Sequence, residues 1–140
     1  AHDPGITEEE DVQMRDHLRA DRLAPRAKSP VQFRKDADAA IADALAAKKR
    51  YFVKFETDWC GPCKTMAELV FTAQEVVDAA TGATCIVVDG DARKDLTEKY
   101  EVKAYPTGIL FDGEGKEIAR YVGYQSVKQT AAFLQKGAQN

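Results

Sequence analysis

Two cysteines separated by two residues, Cys60 and Cys63, are the residues whose types and spacing suggest chemistry in this chain. They lie in the segment TDWCGPCK, residues 57–64, after a strand-like run and before a run whose apolar residues have helical spacing. A dithiol in this context is typical of a redox site rather than a metal site. Disulfide exchange requires one thiolate that attacks and a second thiol that resolves the mixed disulfide. This spacing supplies both thiols.

The helix expected after the dithiol gives the two thiols different properties. Cys60 would lie at the helix N-terminus, where unpaired backbone N–H groups and the helix dipole stabilise a thiolate and lower its pKa. Cys63 would lie one turn further along, and we expect it to be the more buried of the two. Pro62 suits the first helical turn, because the backbone nitrogen needs no hydrogen-bond partner there.

Other interpretations of the cysteines are open. A zinc site would need about two more Cys or His ligands, and the other candidates are Cys85, in an expected buried strand, and His2 and His17 near the N-terminus. We therefore expect no metal. A permanent structural disulfide would close so short a loop that it would constrain the unfolded chain little. Cys85 is expected to be a small buried apolar residue, with a regulatory or dimer-forming thiol as the alternative.

Length and charge restrict the class of protein. A chain of 140 residues suits one domain with a single core. The net charge of -3 argues against a nucleic-acid-binding protein, which would usually be strongly basic. No apolar run approaches the length needed to span a bilayer. The compartment stays open between an extracytoplasmic (periplasmic) and a cytoplasmic location.

Residues 1–30 are expected to form an N-terminal helical extension. A capping box beginning at Thr7 predicts a helix over residues 7–22. Its apolar residues are sparse, which indicates a surface helix or a partly ordered arm. Pro25 and Pro30 then end the helix and form a linker. The extension is a tether, a partner-binding arm or a packing helix, and the sequence does not distinguish these.

Residues 31–140 are predicted to form one α/β domain. The predicted strands cover residues 31–33, 51–56, 84–88, 107–111 and 117–122, and the predicted helices cover residues 38–49, the segment from Cys60 to Gly82, residues 92–100 and a segment capped by Ser126. A capping-box pattern at residues 72–75 predicts a break in the second helix near Phe71. Because the first strands alternate with helices and the last two form a hairpin, we expect a mixed central sheet with helices on both faces.

The segment WCGPCK, residues 59–64, resembles the active site of the thioredoxin family. The resemblance extends from about residue 31 to residue 134 and implies the thioredoxin fold. Residues 105–107, Tyr-Pro-Thr, resemble the loop of that family in which a cis proline faces the dithiol. Gly123 falls where the family keeps a glycine beside the active site.

The resemblance implies a role for each matching residue. Cys60 would be the nucleophile and Cys63 the resolving cysteine. Pro106, in cis, would hold the loop that receives the substrate backbone and would shield the dithiol from metal; an ordinary trans proline is the alternative. The apolar docking surface would consist of Trp59, Gly61, Pro62, Tyr105 and Gly123. For Trp59, a packing residue is the other interpretation.

The sequence departs from the family at one position. Most members carry a buried acid six residues before the nucleophile, thought to take the proton of the resolving thiol, and this chain has Lys54 there. A charged lysine cannot accept a proton, and burying a lone ammonium is costly. Glu56, two residues on, points to the same strand face. We expect Glu56 to pair with Lys54 and to assume part of the role of the acid, unless both charges lie in solvent at the strand end.

These observations predict a thiol-disulfide oxidoreductase that reduces protein disulfides. No cofactor is expected beyond the redox-active disulfide of Cys60 and Cys63. The expected partners are protein disulfides and an electron-donating reductase, with no nucleic acid, and the protein is expected to be a monomer. The alternative function is a redox-sensitive adaptor that uses the fold to bind partners. Asp58, the helix break and residues 88–89 also resemble a subgroup that includes domains of membrane-bound disulfide reductases.

Overall fold

A four-stranded mixed sheet forms the centre of the protein in the computed structural model, which describes residues 8–138. In chain order the elements are α1 (Glu8–Leu23), α2 (Ala37–Ala46), β1 (Arg50–Glu56), α3 (Gly61–Leu69), α4 (Gln74–Ala80), β2 (Ala83–Asp89), α5 (Lys94–Lys99), β3 (Thr107–Phe111), β4 (Glu117–Val122) and α6 (Val127–Leu134). The order of strands in the sheet is β2-β1-β3-β4. The α/β fold with an N-terminal helix is therefore confirmed.

The C-terminal ends of β1 and β2 and the N-terminal end of β3 lie together at one end of the sheet. β1 is parallel to β2 and antiparallel to β3, and β3 forms a hairpin with β4. At this end of the sheet Glu56 is opposite Asp89, and Phe55 is opposite Thr107. The segment that follows β1 leads into α3, and the segment before β3 ends at Pro106. The sheet thus brings the dithiol and the proline loop to the same end of the molecule.

Helices cover both faces of the sheet, as predicted. Side chains alternate across a strand, so β1 contributes Phe52 to one core and Val53 and Phe55 to the other. The core on the Phe52 side includes residues of α3, α4 and α6. The core on the opposite side includes residues of α2 and α5. Burial on both faces accounts for the apolar composition of the parallel strands β1 and β2.

The prediction of a strand at residues 31–33 is wrong. Within the described chain this segment forms no strand, and a single bridge joins Arg34 to Ile86 beside β2. The Arg34 N–H donates to Cys85 O at 2.9 Å and its carbonyl accepts from Val87 N at 3.0 Å. The Val31 N–H instead donates to Phe71 O at 2.9 Å. The chain crosses toward the helical layer there and cannot follow the sheet edge.

The predicted break between α3 and α4 is present, but its capping differs from the prediction. The N-cap residue of α4 is Ala73, which has no side-chain hydrogen bond to offer. The Thr72 hydroxyl donates to Glu68 O at 2.6 Å within α3 and is not available as a cap. The capping box at Ser126 is present, with both reciprocal hydrogen bonds to Gln129.

The N-terminal helix is a surface helix, in agreement with its thin apolar stripe. Val12, Met14 and Leu23 are exposed on α1, whereas Asp21 is buried. The capping box predicted at Thr7 lies outside the described residues. Between residues 8 and 138, none of the helices has the length and apolar character needed to cross a bilayer.

Candidate active site

The dithiol lies at the N-terminus of α3. Cys60 is the N-cap residue, with an extended backbone, and its Sγ accepts a hydrogen bond from the Cys63 N–H at 3.2 Å. A sulfur therefore occupies the place where a Ser or Asp oxygen usually caps a helix. The two sulfurs form a disulfide, and the Cα atoms are 5.3 Å apart. The Cys63 N–H and the positive end of the helix dipole stabilise negative charge on this sulfur once the disulfide is reduced.

The predicted difference in burial between the two cysteines is not observed. Cys60 is 4% exposed and Cys63 is 6% exposed. The disulfide draws the Sγ of Cys60 against the first turn of α3, where it accepts the Cys63 N–H. Gly61 and Pro62 are exposed, so the two linking residues form the surface over the sulfur pair.

The loop before β3 faces the dithiol. The Tyr105–Pro106 peptide bond is cis, as predicted, and the alternative of a trans proline is wrong. Pro106 and Cys63 line the same small cavity. The Gly123 N–H donates to Pro106 O at 2.8 Å and so connects the end of β4 to this loop. Gly123 has a φ of 91°, a conformation that favours glycine.

Trp59 belongs to the surface beside the dithiol rather than to the core. The residue is 68% exposed, so the interpretation as a packing residue is wrong. Its indole Nε1–H donates to Asp91 Oδ2 at 2.9 Å. Its ring meets that of Tyr105 edge to face, with centroids 5.7 Å apart. These two contacts hold an aromatic side chain in place although most of it faces solvent.

Three residues at this site were missed by sequence reasoning. Asp91 holds the indole of Trp59, and Gly90 leaves room for the Tyr105 hydroxyl, which a Cβ at this position would meet. Val122 is an exposed apolar residue at the end of β4, next to Gly123. The available signals were the Asp-Gly-Asp sequence after a buried strand, and a β-branched residue before a glycine.

Lys54 lies in a box formed by two aromatic rings and a carboxylate. Its Nζ is 3.2 Å from Glu56 Oε1, which is the predicted ion pair. The Nζ also lies 4.2 Å from the ring centroid of Phe33 and 4.8 Å from that of Phe71. The Lys54 side chain is 12% exposed, so the alternative with both charges in solvent is wrong. The carboxylate and the ring faces compensate for the lost hydration of the ammonium.

A small cavity joins this ion pair to the resolving cysteine. Cys63, Pro106, Lys54 and Glu56 are among its lining residues. Its volume of about 10 Å³ is close to what one water molecule needs. Glu56 and Cys63 therefore border the same small cavity, which has room for about one water molecule.

The same ion pair also borders open solvent. Lys54, Glu56 and Asp58 line a groove of about 560 Å³ that opens beside the end of β2. Tyr121 also lines the small cavity. Burial, together with the negative charge of Glu56, raises the pKa of Tyr121, so its hydroxyl stays protonated. Glu56 is thus the ionisable carboxylate between the small cavity and the groove.

The remaining cysteine and histidines are arranged differently. Cys85 is a free, buried thiol on β2. Burial raises the pKa of Cys85 to about 11, an effect that nearby lysine and arginine charges partly oppose. His17 is exposed on α1, and His2 lies outside the described residues. From residue 8 to residue 138, no group of three or more His, Cys, Asp or Glu residues is arranged to hold a metal ion.

Comparison with known sequences gives consistent matches over most of the chain. A family model described as a thioredoxin-like domain matches residues 37–138. The thioredoxin of Alicyclobacillus acidocaldarius is 33% identical over 98 residues, which cover 69% of this chain and 90% of that protein. Thioredoxin-1 of Saccharomyces cerevisiae is 36% identical over 91 residues, covering 64% of this chain and 84% of that protein.

Solved structures agree on the fold. A protein named Trxlp from Edwardsiella tarda superposes with a TM-score of 0.63 at 24% identity, covering 75% of this chain and 100% of that one. A DsbH oxidoreductase superposes with a TM-score of 0.61 at 20% identity, covering 83% of this chain and 94% of that one. At these identities, the likeness concerns the fold alone.

We predict that the reduced native protein reacts with an aromatic disulfide reagent at two thiols rather than three. Near pH 8 the Cys85 thiol stays protonated, because burial raises its pKa to about 11. Denaturation should expose the third thiol, and a thiol titration in both states measures the difference. A Cys85→Ala variant is the control and should titrate two thiols in either state. Rapid reaction of three thiols in the native protein would contradict the assignment of Cys85 as an inert core residue.

Proposed function

The chain belongs to the thioredoxin family and is a thiol-disulfide oxidoreductase, and we propose that it reduces the disulfides of protein substrates through Cys60 and Cys63. The observation that carries this proposal is the sulfur pair at the start of α3, where Cys60 Sγ accepts the Cys63 N–H. The thioredoxin relatives and the Gly-Pro dipeptide between the cysteines favour the reducing direction. Two sulfur atoms carry the electrons, so the reaction needs no resident cofactor.

In the first step the Cys60 thiolate attacks one sulfur of a substrate disulfide. A bond forms between Cys60 and that sulfur, and the substrate bond breaks. The second substrate sulfur leaves as a thiolate and takes a proton from water. The N-terminus of α3 favours this step, because its N–H groups stabilise the attacking thiolate at neutral pH.

In the second step Cys63 resolves the mixed disulfide. Its thiol loses a proton, and its sulfur attacks the Sγ of Cys60, which releases the other substrate sulfur as a thiolate. The substrate has then gained two electrons and two protons, and the Cys60–Cys63 disulfide is restored. A partner reductase or a small dithiol must return two electrons to the pair before another cycle.

The surface around the sulfur pair suits an extended segment of a substrate protein. We assign docking to the exposed or loop residues Trp59, Gly61, Pro62, Tyr105 and Pro106, with Gly123 beside them. The exposed indole supplies apolar contact area, and Asp91 keeps it oriented. Glycine and proline between the cysteines leave little side-chain bulk over the sulfurs, so a substrate disulfide can approach Cys60.

Proton transfer from Cys63 is assigned to the Lys54–Glu56 pair. A protonated Lys54 cannot accept a proton, but its positive charge favours the thiolate form of a nearby Cys63. The Glu56 carboxylate faces the cavity that Cys63 lines. A water in that cavity would pass the proton from Cys63 to Glu56, which then releases it to the open groove. Glu56 thereby assumes the role that a buried acid has in most of the family.

The organisation of the chain is part of the same proposal. Residues 31–140 would make up the thioredoxin-like domain, and residues 1–30 the extension. The family match begins at residue 37 and supports this division. The reaction as written needs one copy of the chain, and we assign a monomer as the functional unit.

Turnover on a protein disulfide tests the proposed function directly. With dithiothreitol as electron donor, the protein should reduce insulin disulfides many times faster than dithiothreitol alone. Cys60→Ser should lower the rate to background, because no other thiol attacks the substrate. Cys63→Ser, reduced and then mixed with insulin without dithiothreitol, should accumulate a mixed disulfide that mass spectrometry detects, because no second thiol resolves it. Cys85→Ser is the matched control and should leave the rate unchanged; absence of acceleration by the unaltered protein would contradict the function.

The pH dependence of turnover tests the role of Glu56. Glu56→Gln removes the proton acceptor, and we expect the reduction rate at neutral pH to fall by about a hundredfold, the lower end of the usual contribution of general base catalysis. The loss should shrink as pH rises, because hydroxide then removes the Cys63 proton. Asp58→Asn is the control, since Asp58 lines the open groove but not the cavity at Cys63. A Glu56→Gln profile that matches the unaltered protein would exclude this role.

A further inference from the structure

The last turn of α1 and the residues after it are hydrogen-bonded to the end of α3 and to the loop between β4 and α6. Asp21 is 2% exposed, although α1 is otherwise a surface helix. A buried carboxylate is costly unless hydrogen bonds satisfy it. Its partners therefore indicate which parts of the domain the extension holds together.

Asp21 is bonded to the loop between β4 and α6. The Tyr124 hydroxyl donates to Asp21 Oδ2 at 2.6 Å, and the Val127 N–H donates to Asp21 Oδ1 at 2.9 Å. Val127 is the first residue of α6, so the carboxylate also lies at the positive end of a helix. Burial and the bond to Asp21 raise the pKa of Tyr124, which keeps its hydroxyl a donor at ordinary pH.

Arg26 is bonded to the end of α3. Its Nη1 donates to Leu69 O at 2.8 Å and to Thr72 Oγ1 at 2.6 Å. Its Nη2 donates to the carbonyl oxygen of Asp21 and so links the two attachments. A backbone hydrogen bond reinforces the attachment to the end of α3, since the Ala27 N–H donates to Thr72 O at 2.9 Å.

Each attachment is connected through the chain to one wall of the dithiol site. α3 carries Cys60 and Cys63 at its other end, nine residues and about 13 Å away. Gly123 precedes Tyr124 and donates its N–H to Pro106 O. The extension therefore bridges the helix that holds the sulfurs and the loop that holds the cis proline.

We propose that Asp21 and Arg26 form a brace that sets the spacing between α3 and the Pro106 loop, which makes the N-terminal extension a positioning element for substrate docking. The proposal rests on the function proposed above and adds a specificity role that residues 37–138 alone do not supply. A protein substrate contacts both walls, whereas a small disulfide needs only an accessible Cys60. Loss of the brace should therefore weaken docking of proteins and spare attack on small disulfides.

Tyr124→Phe and Asp21→Asn test the brace, because each removes part of the buried bond with little change in shape. For each variant we expect KM for insulin to rise about fivefold, the ratio that corresponds to a lost hydrogen bond of about 1 kcal/mol. The reaction rate with a small aromatic disulfide should stay within about twofold of the unaltered protein. In the double variant the increase in log KM should be smaller than the sum of the increases in the two single variants, since both substitutions act on one hydrogen bond. Asp16 is an exposed carboxylate on the same helix, and Asp16→Asn is the matched control.

Amide hydrogen exchange provides a readout that does not depend on activity. In Tyr124→Phe the Gly123 N–H, which bonds to Pro106 O, should exchange faster, while amides of β1 keep their protection. An unchanged KM together with unchanged exchange at Gly123 would overturn the brace. Equal losses with protein and small disulfides would also overturn it, because they indicate general destabilisation. If the unaltered protein lacks turnover but Gly123 exchange responds, the proposed function fails and the brace stands as a structural link.

Discussion

The hydrogen bond from the Cys63 N–H to Cys60 Sγ is the contact on which the rest of the site depends. It forms only if a helix begins directly after Cys60, and Pro62 suits the first turn because it has no backbone N–H to satisfy. The strand β1 ends four residues before Cys60, at the end of the sheet where β3 begins. The start of α3 therefore faces the cis proline. The reactive sulfur is thus placed by a helix terminus on one side and by the sheet edge on the other.

A second constraint comes from the buried charge behind the sulfurs. Lys54 stands on a central strand where an isolated ammonium would be unfavourable. Glu56 and the rings of Phe33 and Phe71 compensate for the burial of this charge, and in the proposed mechanism the same carboxylate accepts the proton of the resolving thiol. The charge therefore affects the second half of the reaction, at Cys63, more than the first half, at Cys60. The N-terminal extension has a different role in this account, since Asp21 influences the spacing between α3 and the Pro106 loop and not the chemistry of the sulfurs.

The features that sequence reasoning predicted are those encoded by neighbouring residues. The dithiol, the alternation of strands and helices and the terminal hairpin have local signals, whereas the cis bond before Pro106 was implied by the resemblance to the thioredoxin family. The aromatic box could not be predicted, because Phe33 and Phe71 meet Lys54 only in the folded chain. The same holds for the single bridge at Arg34, which tertiary hydrogen bonds impose in place of a strand. Asp21 had no signal, since a lone aspartate in a sparse helix is normally a solvated residue.

The central claim is that the Cys60–Cys63 pair works as a reductant of protein disulfides, and its reduction potential tests this most directly. Equilibration of the protein with dithiothreitol or glutathione redox buffers, followed by quantification of reduced Cys60 and Cys63, gives that potential. We predict a value of about -270 mV, typical of a thioredoxin reductant. A value near about -120 mV would belong to a strong oxidant and would contradict the reducing function.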